Sequence, residues 1–215
     1  MVLTQNRRGK FITIEGCEGV GKSTQVRFLK EYCAKAGIDA VFTREPGGTD
    51  IAEKIRSVIL DPENKEMDSL TELFLYAASR RQHTKELIIP ALEQGKIVFC
   101  DRYTDSTLSY QGYARGLDKG IISRLNEWAS EGADIDLTLF IDVNPAEGFR
   151  RKGGADKSDR LEREGMEFHE KVFFGFKEIA KANPNRIVCV NASGTKFETH
   201  DEIVRILQKK GVFNT

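Results

Sequence analysis

The sequence predicts an α/β protein with a five-stranded parallel sheet between layers of helices, and three observations predict it. Five short apolar runs recur along the chain: KFITIEG at the start, then AVFT near Ala40, KIVFCD near Val98, LTLFIDV near Phe140 and RIVCVN near Val188. They are apolar almost throughout, which suits strands buried on both faces, and amphipathic helical stretches of crossover length separate them. The first run leads through a glycine-rich loop straight into a helical pattern, the strand–loop–helix order of a phosphate-binding unit. A length of 215 residues suits a single domain over 1–215, with no repeat or low-complexity linker to divide it.

The loop is EGCEGVGKST, Glu15 to Thr24. Gly16, Gly19 and Gly21 allow backbone angles closed to other residues, so successive N–H groups can turn inward around an anion. Gly16 to Ser23 fits G-x-x-x-x-G-K-[ST], so Gly16, Cys17, Glu18, Gly19, Val20, Gly21, Lys22, Ser23 and Thr24 form the predicted phosphate cradle. Lys22 reaches the outer phosphates, and the Ser23 hydroxyl is placed for a magnesium ion. The next segment has Val26, Leu29, Tyr32 and Cys33 at helical spacing and stops at Gly37, with its N-terminal dipole facing the bound anion.

In parallel sheets ligands gather beyond the carboxyl ends of the strands, and each later strand here is followed by a polar loop. TREPGGT (Thr43 to Thr49) follows the second and DRYTDST (Asp101 to Thr107) the third. After the fourth, Asn144 and Pro145 start a short helix in which Arg150, Arg151 and Lys152 precede a glycine-rich charged loop, a basic lid around 149–160. Lys plus Arg balance Asp plus Glu at 33 each, so no net field advertises nucleic acid or a membrane. Cys17, Cys33, Cys100 and Cys189 form no C-x-x-C pair and no signal peptide is evident, which reads as a cytoplasmic protein with reduced thiols. His83, His169 and His200 are too scattered for a transition-metal site.

EGCEGVGKST, TREPGGT, LYAASRRQH, DRYTDSTLSYQG and DRLE, in this order and spacing across nearly the whole chain, resemble the thymidylate kinases. The resemblance implies a P-loop nucleoside monophosphate kinase fold with a short lid. It implies transfer of the ATP γ-phosphoryl group to dTMP with Mg2+, in a homodimer formed through helix faces. It makes Lys22, Arg102, Arg150 and Arg151 the catalytic candidates and Glu18, Arg44, Tyr76, Arg80, Arg102, Thr107, Tyr110 and Gln111 the substrate candidates. Arg102 would grip the acceptor phosphate, Tyr76 stack on thymine, Arg80 donate to its O4, and Thr107 bond the base. Tyr110 would crowd the sugar 2′ position and Glu18 reach the 3′-hydroxyl. Two departures stand out: Tyr76 occupies a position more often Phe, and Gly19 one where some members carry arginine, so the second positive charge must come from the lid.

Some choices stay open at this level. Asp101 and Asp142 both end strands and could serve Mg2+ alongside Ser23, with the resemblance favouring Asp101; the acting lid arginine is undetermined. A kinase for another nucleoside monophosphate would keep loop and lid but change Tyr76, Arg80 and Thr107. A phosphate-binding module without turnover is the non-enzymatic alternative. A GTPase switch would need N-K-x-D, and NKEM at Asn64 lacks the acid.

Overall fold

The computed structural model describes residues 8–156 and 158–213. Five strands, β1 (Phe11–Glu15), β2 (Ala40–Arg44), β3 (Ile97–Asp101), β4 (Leu137–Asp142) and β5 (Ile187–Asn191), form one parallel sheet in the order β2-β3-β1-β4-β5. The helices are α1 (Lys22–Ala36), α2 (Asp50–Leu60), α3 (Ser69–His83), α4 (Ile89–Glu93), α5 (Thr104–Thr107), α6 (Lys119–Ser130), α7 (Pro145–Lys152), α8 (Met166–Ala182) and α9 (Lys196–Lys209). Two π-helical segments, Thr84–Ile88 and Leu108–Ala114, join α3 to α4 and extend α5.

Side chains alternate across a strand, so neighbouring residues report on opposite faces of the sheet. Ile12, Ile14 and Phe99 enter one apolar cluster with Leu29, Val172, Phe176 and Ile203 from the helices, while Phe11, Val98 and Cys100 enter a second with Ile88, Leu92 and Tyr103. Both faces are therefore covered. The expectation of strands buried throughout holds for β1 and nearly so for β3 and β4, but β2 is half-exposed and β5 is buried only in part. These two are the sheet edges, where one neighbour is missing.

Local sequence accounts for the elements that carry the site. Gly21 (φ 100°) lets the loop turn into α1, which ends at Gly37 in the left-handed conformation with its N–H bonded to Cys33 O. In α7 the Asn144 side chain accepts from the Glu147 N–H, Pro145 takes the first turn, and Gly153 (φ 83°) terminates the helix. The phosphate loop and α7 touch backbone to backbone. A Cβ at Gly19 would overlap the Gly148 carbonyl oxygen, and one at Gly148 would overlap the Glu18 carbonyl oxygen. The absence of an arginine at position 19 thus has a steric reason: Gly19 has φ 70° and a helix backbone occupies the space a side chain would need.

Candidate functional site

A cleft of about 530 Å³ opens beyond the carboxyl ends of β1, β2 and β3. Its floor is the phosphate loop, with Glu18, Gly19, Gly21, Lys22, Ser23 and Thr24 in the wall. Gly16, Cys17 and Val20 lie beneath this surface, Cys17 and Val20 as members of the apolar core. Burial pushes the Cys17 thiol up to about 12, which keeps it protonated and unreactive. Lys22 is buried, its Nζ donating to Gly16 O at 3.0 Å and Cys17 O at 2.6 Å. Burial, then the nearby Arg102, lower its pKa.

Arg102 is the hinge of the site. It is the one non-glycine residue with positive φ (70°) among those described. Its Nη1 donates to Gly16 O and to Ser106 Oγ, and its Nη2 to Glu18 Oε1 at 2.5 Å, while the guanidinium lies 5.2 Å from the Tyr110 ring centroid. Burial alone would raise the Glu18 carboxyl, but Arg102 first, then Lys22 and Lys152, outweigh it and bring the group to about 2. Glu18 is a carboxylate at any physiological pH, held by Arg102 and by the Tyr110 hydroxyl at 3.2 Å.

Tyr76 and Arg80 share a face of α3 and line the opposite wall with Thr107, Tyr110 and Gln111. Arg80 is only 1% exposed: Nε donates to Glu45 Oε2 at 2.7 Å, Nη1 to Asn126 Oδ1 at 2.6 Å, and the guanidinium stacks over Tyr103. Glu45 is bonded in turn to His83, whose other ring nitrogen meets Thr43 Oγ1. The buried Thr107 Oγ1 lacks a hydrogen-bond partner within the protein, and Thr107 lines the cleft. Gln111 is held by the buried Glu72, which also binds Arg160 and Arg115. Burial raises the Tyr76 phenol, keeping it neutral.

The two strand-end acids part company. Asp101 lines the cleft and its buried Oδ1 has no hydrogen-bond partner, whereas Asp142 pairs with Lys177 of α8 at 2.6 Å and is not in the cleft wall. The lid residues separate as well. Arg151 and Lys152 line the cleft, Arg151 bonded to Glu147 and Ala192 O, Lys152 to Glu162. The Arg150 side chain is 74% exposed, chelates Glu147 through Nε and Nη2, and is not part of the wall. Arg160 is not a lid cation: it is buried against Ile59 O and Glu72. Lys157 of the predicted loop lies outside the described residues.

Arg44 lines the cleft and pairs with Glu53, and beside it stands Arg56, which the sequence offered no reason to select. Burial, then Arg44, lower the Arg56 pKa, and Arg56 Nη1 donates to Pro46 O at 2.8 Å. Glu45, Asn126, Ser106 and Glu72 were missed for a like reason: each acts by touching a residue distant in sequence.

The family model for thymidylate kinase matches residues 14–203. The chain belongs to the thymidylate kinase family. Among its curated relatives, the thymidylate kinase of Oceanobacillus iheyensis is 48% identical over 202 residues, covering 93% of this chain and 89% of the relative. That of Clostridium novyi is 44% identical over 203 residues, 94% of this chain and 99% of the relative. The crystal structure of thymidylate kinase from Ehrlichia chaffeensis superposes with a TM-score of 0.77 at 37% identity, covering 94% of this chain and 99% of that one. The sheet and flanking helices described above are thus this family's P-loop fold.

Beneath Arg102 lies Glu15, which burial, and then the neighbouring Asp105, raise to about 7. A folded-state pKa above the ordinary 4.5 makes the folded chain the better proton binder. The stability linked to this group is therefore fully present below about 4.5 and lost as pH rises through about 7. Glu15→Gln removes that dependence. Urea midpoints of the two proteins should shift in favour of the variant between these pH values; a difference constant across the window would contradict the burial of an ionisable Glu15.

Proposed function

We infer that this chain transfers the γ-phosphoryl group of ATP to the 5′-phosphate of dTMP, giving ADP and dTDP, in the synthesis of dTTP. The observation that carries this is the convergence in one cleft of a phosphate loop, Arg102 and a base-sized wall built from Tyr76, Arg80 and Thr107. An acceptor phosphate oxygen attacks the γ-phosphorus, and the bond from γ-phosphorus to the β–γ bridging oxygen breaks, leaving ADP. That oxygen is already ionised, so no side chain is required as a strong base; positioning and charge supply the catalysis.

The ATP phosphates rest on the loop from Gly16 to Thr24, with Lys22 on the outer ones. Arg102 grips the acceptor phosphate, with Arg44 and Arg56 adding positive field from the side. Glu18, fixed as a carboxylate, receives the sugar 3′-hydroxyl, and Tyr110 occupies the space of a 2′-hydroxyl. Ser23 and Asp101 would hold Mg2+; the unpartnered Asp101 Oδ1 in the cleft wall suits a hard cation, and Asp142 is spent on Lys177. When bound, such an ion neutralises charge on the phosphates. Arg151 is the lid arginine with access to the transferring group.

The base pocket sets the acceptor. Arg80 donates to O4 of thymine, where dCMP would present an amino donor instead, so two donors would face each other in a buried site. dUMP keeps O4 and lacks only the methyl group, a loss of about 1–3 kcal/mol, or roughly ten- to two-hundredfold. An ADP-release assay over a panel of nucleoside monophosphates should rank kcat/KM as dTMP, then dUMP, then dCMP, with Arg80→Ala harming the first two and sparing the third. Turnover of dCMP equal to that of dUMP would overturn the role of Arg80, and no ADP release with any acceptor would leave a binding module.

In the same assay Arg151→Ala should lower kcat on the order of a thousandfold, with much less effect from Arg150→Ala. Asp101→Asn should cost more Mg2+-dependent activity than Asp142→Asn. Either ranking reversed would overturn the corresponding assignment.

The protein acts as a homodimer in the cytoplasm. Among the described residues no helix is long and apolar enough to cross a membrane, and the four cysteines are free. Three neighbouring helices each keep an apolar stripe outside the core: Ile51 and Val58 on α2, Leu70 and Phe74 on α3, Ile121 and Trp128 on α6, Trp128 being 69% exposed. Sedimentation equilibrium at micromolar concentration should give twice the 24.2 kDa chain mass; a monomer, or a dimer unaffected by Trp128→Glu with Phe74→Glu, would refute this interface.

A further inference from the structure

The role given to Arg102 depends on a turn that its own sequence does not favour. A non-glycine residue at φ 70° crowds its Cβ against the backbone, so this conformation persists only where the surroundings over-determine it. The Arg102 N–H is held by Ile14 O at 2.9 Å. The next three constraints come from one side chain. Glu15, the last residue of the central strand, accepts the Tyr103 N–H on Oε1 at 2.8 Å and the Ser106 N–H on the same oxygen at 3.3 Å; its Oε2 accepts the Ser106 hydroxyl at 2.6 Å. No side chain of its own turn caps α5, and Glu15 does so from another strand.

This arrangement also determines the direction of the next bond. When Glu15 is ionised, the Ser106 hydroxyl donates to its Oε2, so Ser106 Oγ presents a lone pair, and that is the atom Arg102 Nη1 donates to at 3.1 Å. On the far side, Asp105 is held by Arg186 at 2.7 and 2.9 Å and by Thr138. The second carboxylate near Glu15 is thus supplied with its own cation and does not draw on Arg102.

We propose that Glu15 is a positioning residue for the phosphoryl-transfer site, fixing the strained Asp101–Arg102–Tyr103 turn and, through Ser106, the aim of the Arg102 guanidinium. Glu15 is not among the residues that line the cleft. The proposal rests on Arg102 being the arginine that grips the acceptor phosphate, and it extends that reading to the residue which holds it in place.

A double-mutant cycle tests it, with dTMP as acceptor and saturating MgATP. Glutamine is isosteric with Glu15 but has a single acceptor oxygen, so it can keep the backbone bonds or the serine bond, not both in their present sense. Alone, Glu15→Gln should lower kcat/KM for dTMP by about tenfold or more; in an Arg102→Ala background it should cost less than about twofold, because the group it acts through is gone. Ser106→Ala should couple to Arg102→Ala in the same way and serves as the second arm if Glu15→Gln folds poorly, as judged by near-UV circular dichroism. Equal costs in both backgrounds would show a general structural role and overturn the proposal while leaving the role of Arg102 intact. Full activity in Glu15→Gln would also overturn it. Near-normal activity in Arg102→Ala would instead remove the reading of Arg102 on which the proposal stands.

Discussion

The site depends on how charge is balanced where the central strand meets the phosphate loop. Gathered in space at the end of β1 lie Glu15, Glu18, Lys22 and Arg102, all but Glu18 withdrawn from water or nearly so, and no member is tolerable there alone. Arg102 ties them together through Gly16 O, Ser106 and Glu18. One guanidinium thereby joins β1, the phosphate loop and the turn after β3. Two phosphorylated ligands repel each other, and a cation locked to the loop proposed to hold one of them is well placed to draw in the other.

The nucleoside side follows the same logic with a different outcome. Arg80 is fully buried yet still charged: burial works against its charge, and Glu45 outweighs that by a direct ion pair. The chain from Thr43 through His83 and Glu45 to Arg80 and Asn126 makes Arg80 rigid rather than a solvated arm, as its proposed reading of the base requires. A donor that cannot move aside discriminates well, since a mismatched base must leave buried groups unpaired. Gln111 is held likewise by Glu72, which Arg160 secures from the segment beyond the lid.

The base of the proposed lid is docked on the phosphate loop. Gly19 and Gly148 bring the loop and α7 into backbone contact, so Arg151 and Lys152 reach the cleft from a helix that starts one turn away. The glycine that leaves the loop without a cation at position 19 is also the one that admits the backbone of α7.

Read alone, the sequence determined the five strands, the glycine-rich loop, the helix limits at Gly37 and Gly153, and part of the set of residues around the cleft. These are encoded locally, in apolar runs, in glycines that adopt positive φ, and in motifs whose members sit within ten residues of one another. It could not rank Asp101 against Asp142 or Arg151 against Arg150, because each pair has the same chemistry and nearly the same place in its element. Tertiary packing separates them: Lys177 from α8 pairs with one acid, and helical phase turns one arginine to the cleft and the other toward water. Glu15, Glu45, Arg56 and Asn126 carried no local signal, since an acid at a strand end or an amide on a helix has many ordinary uses. Their part was decided only when the fold placed them against Ser106, Arg80, Pro46 O and Arg80. Hydrogen bonds between residues far apart in sequence have no periodicity to read; they exist only once the sheet order has brought the chain together.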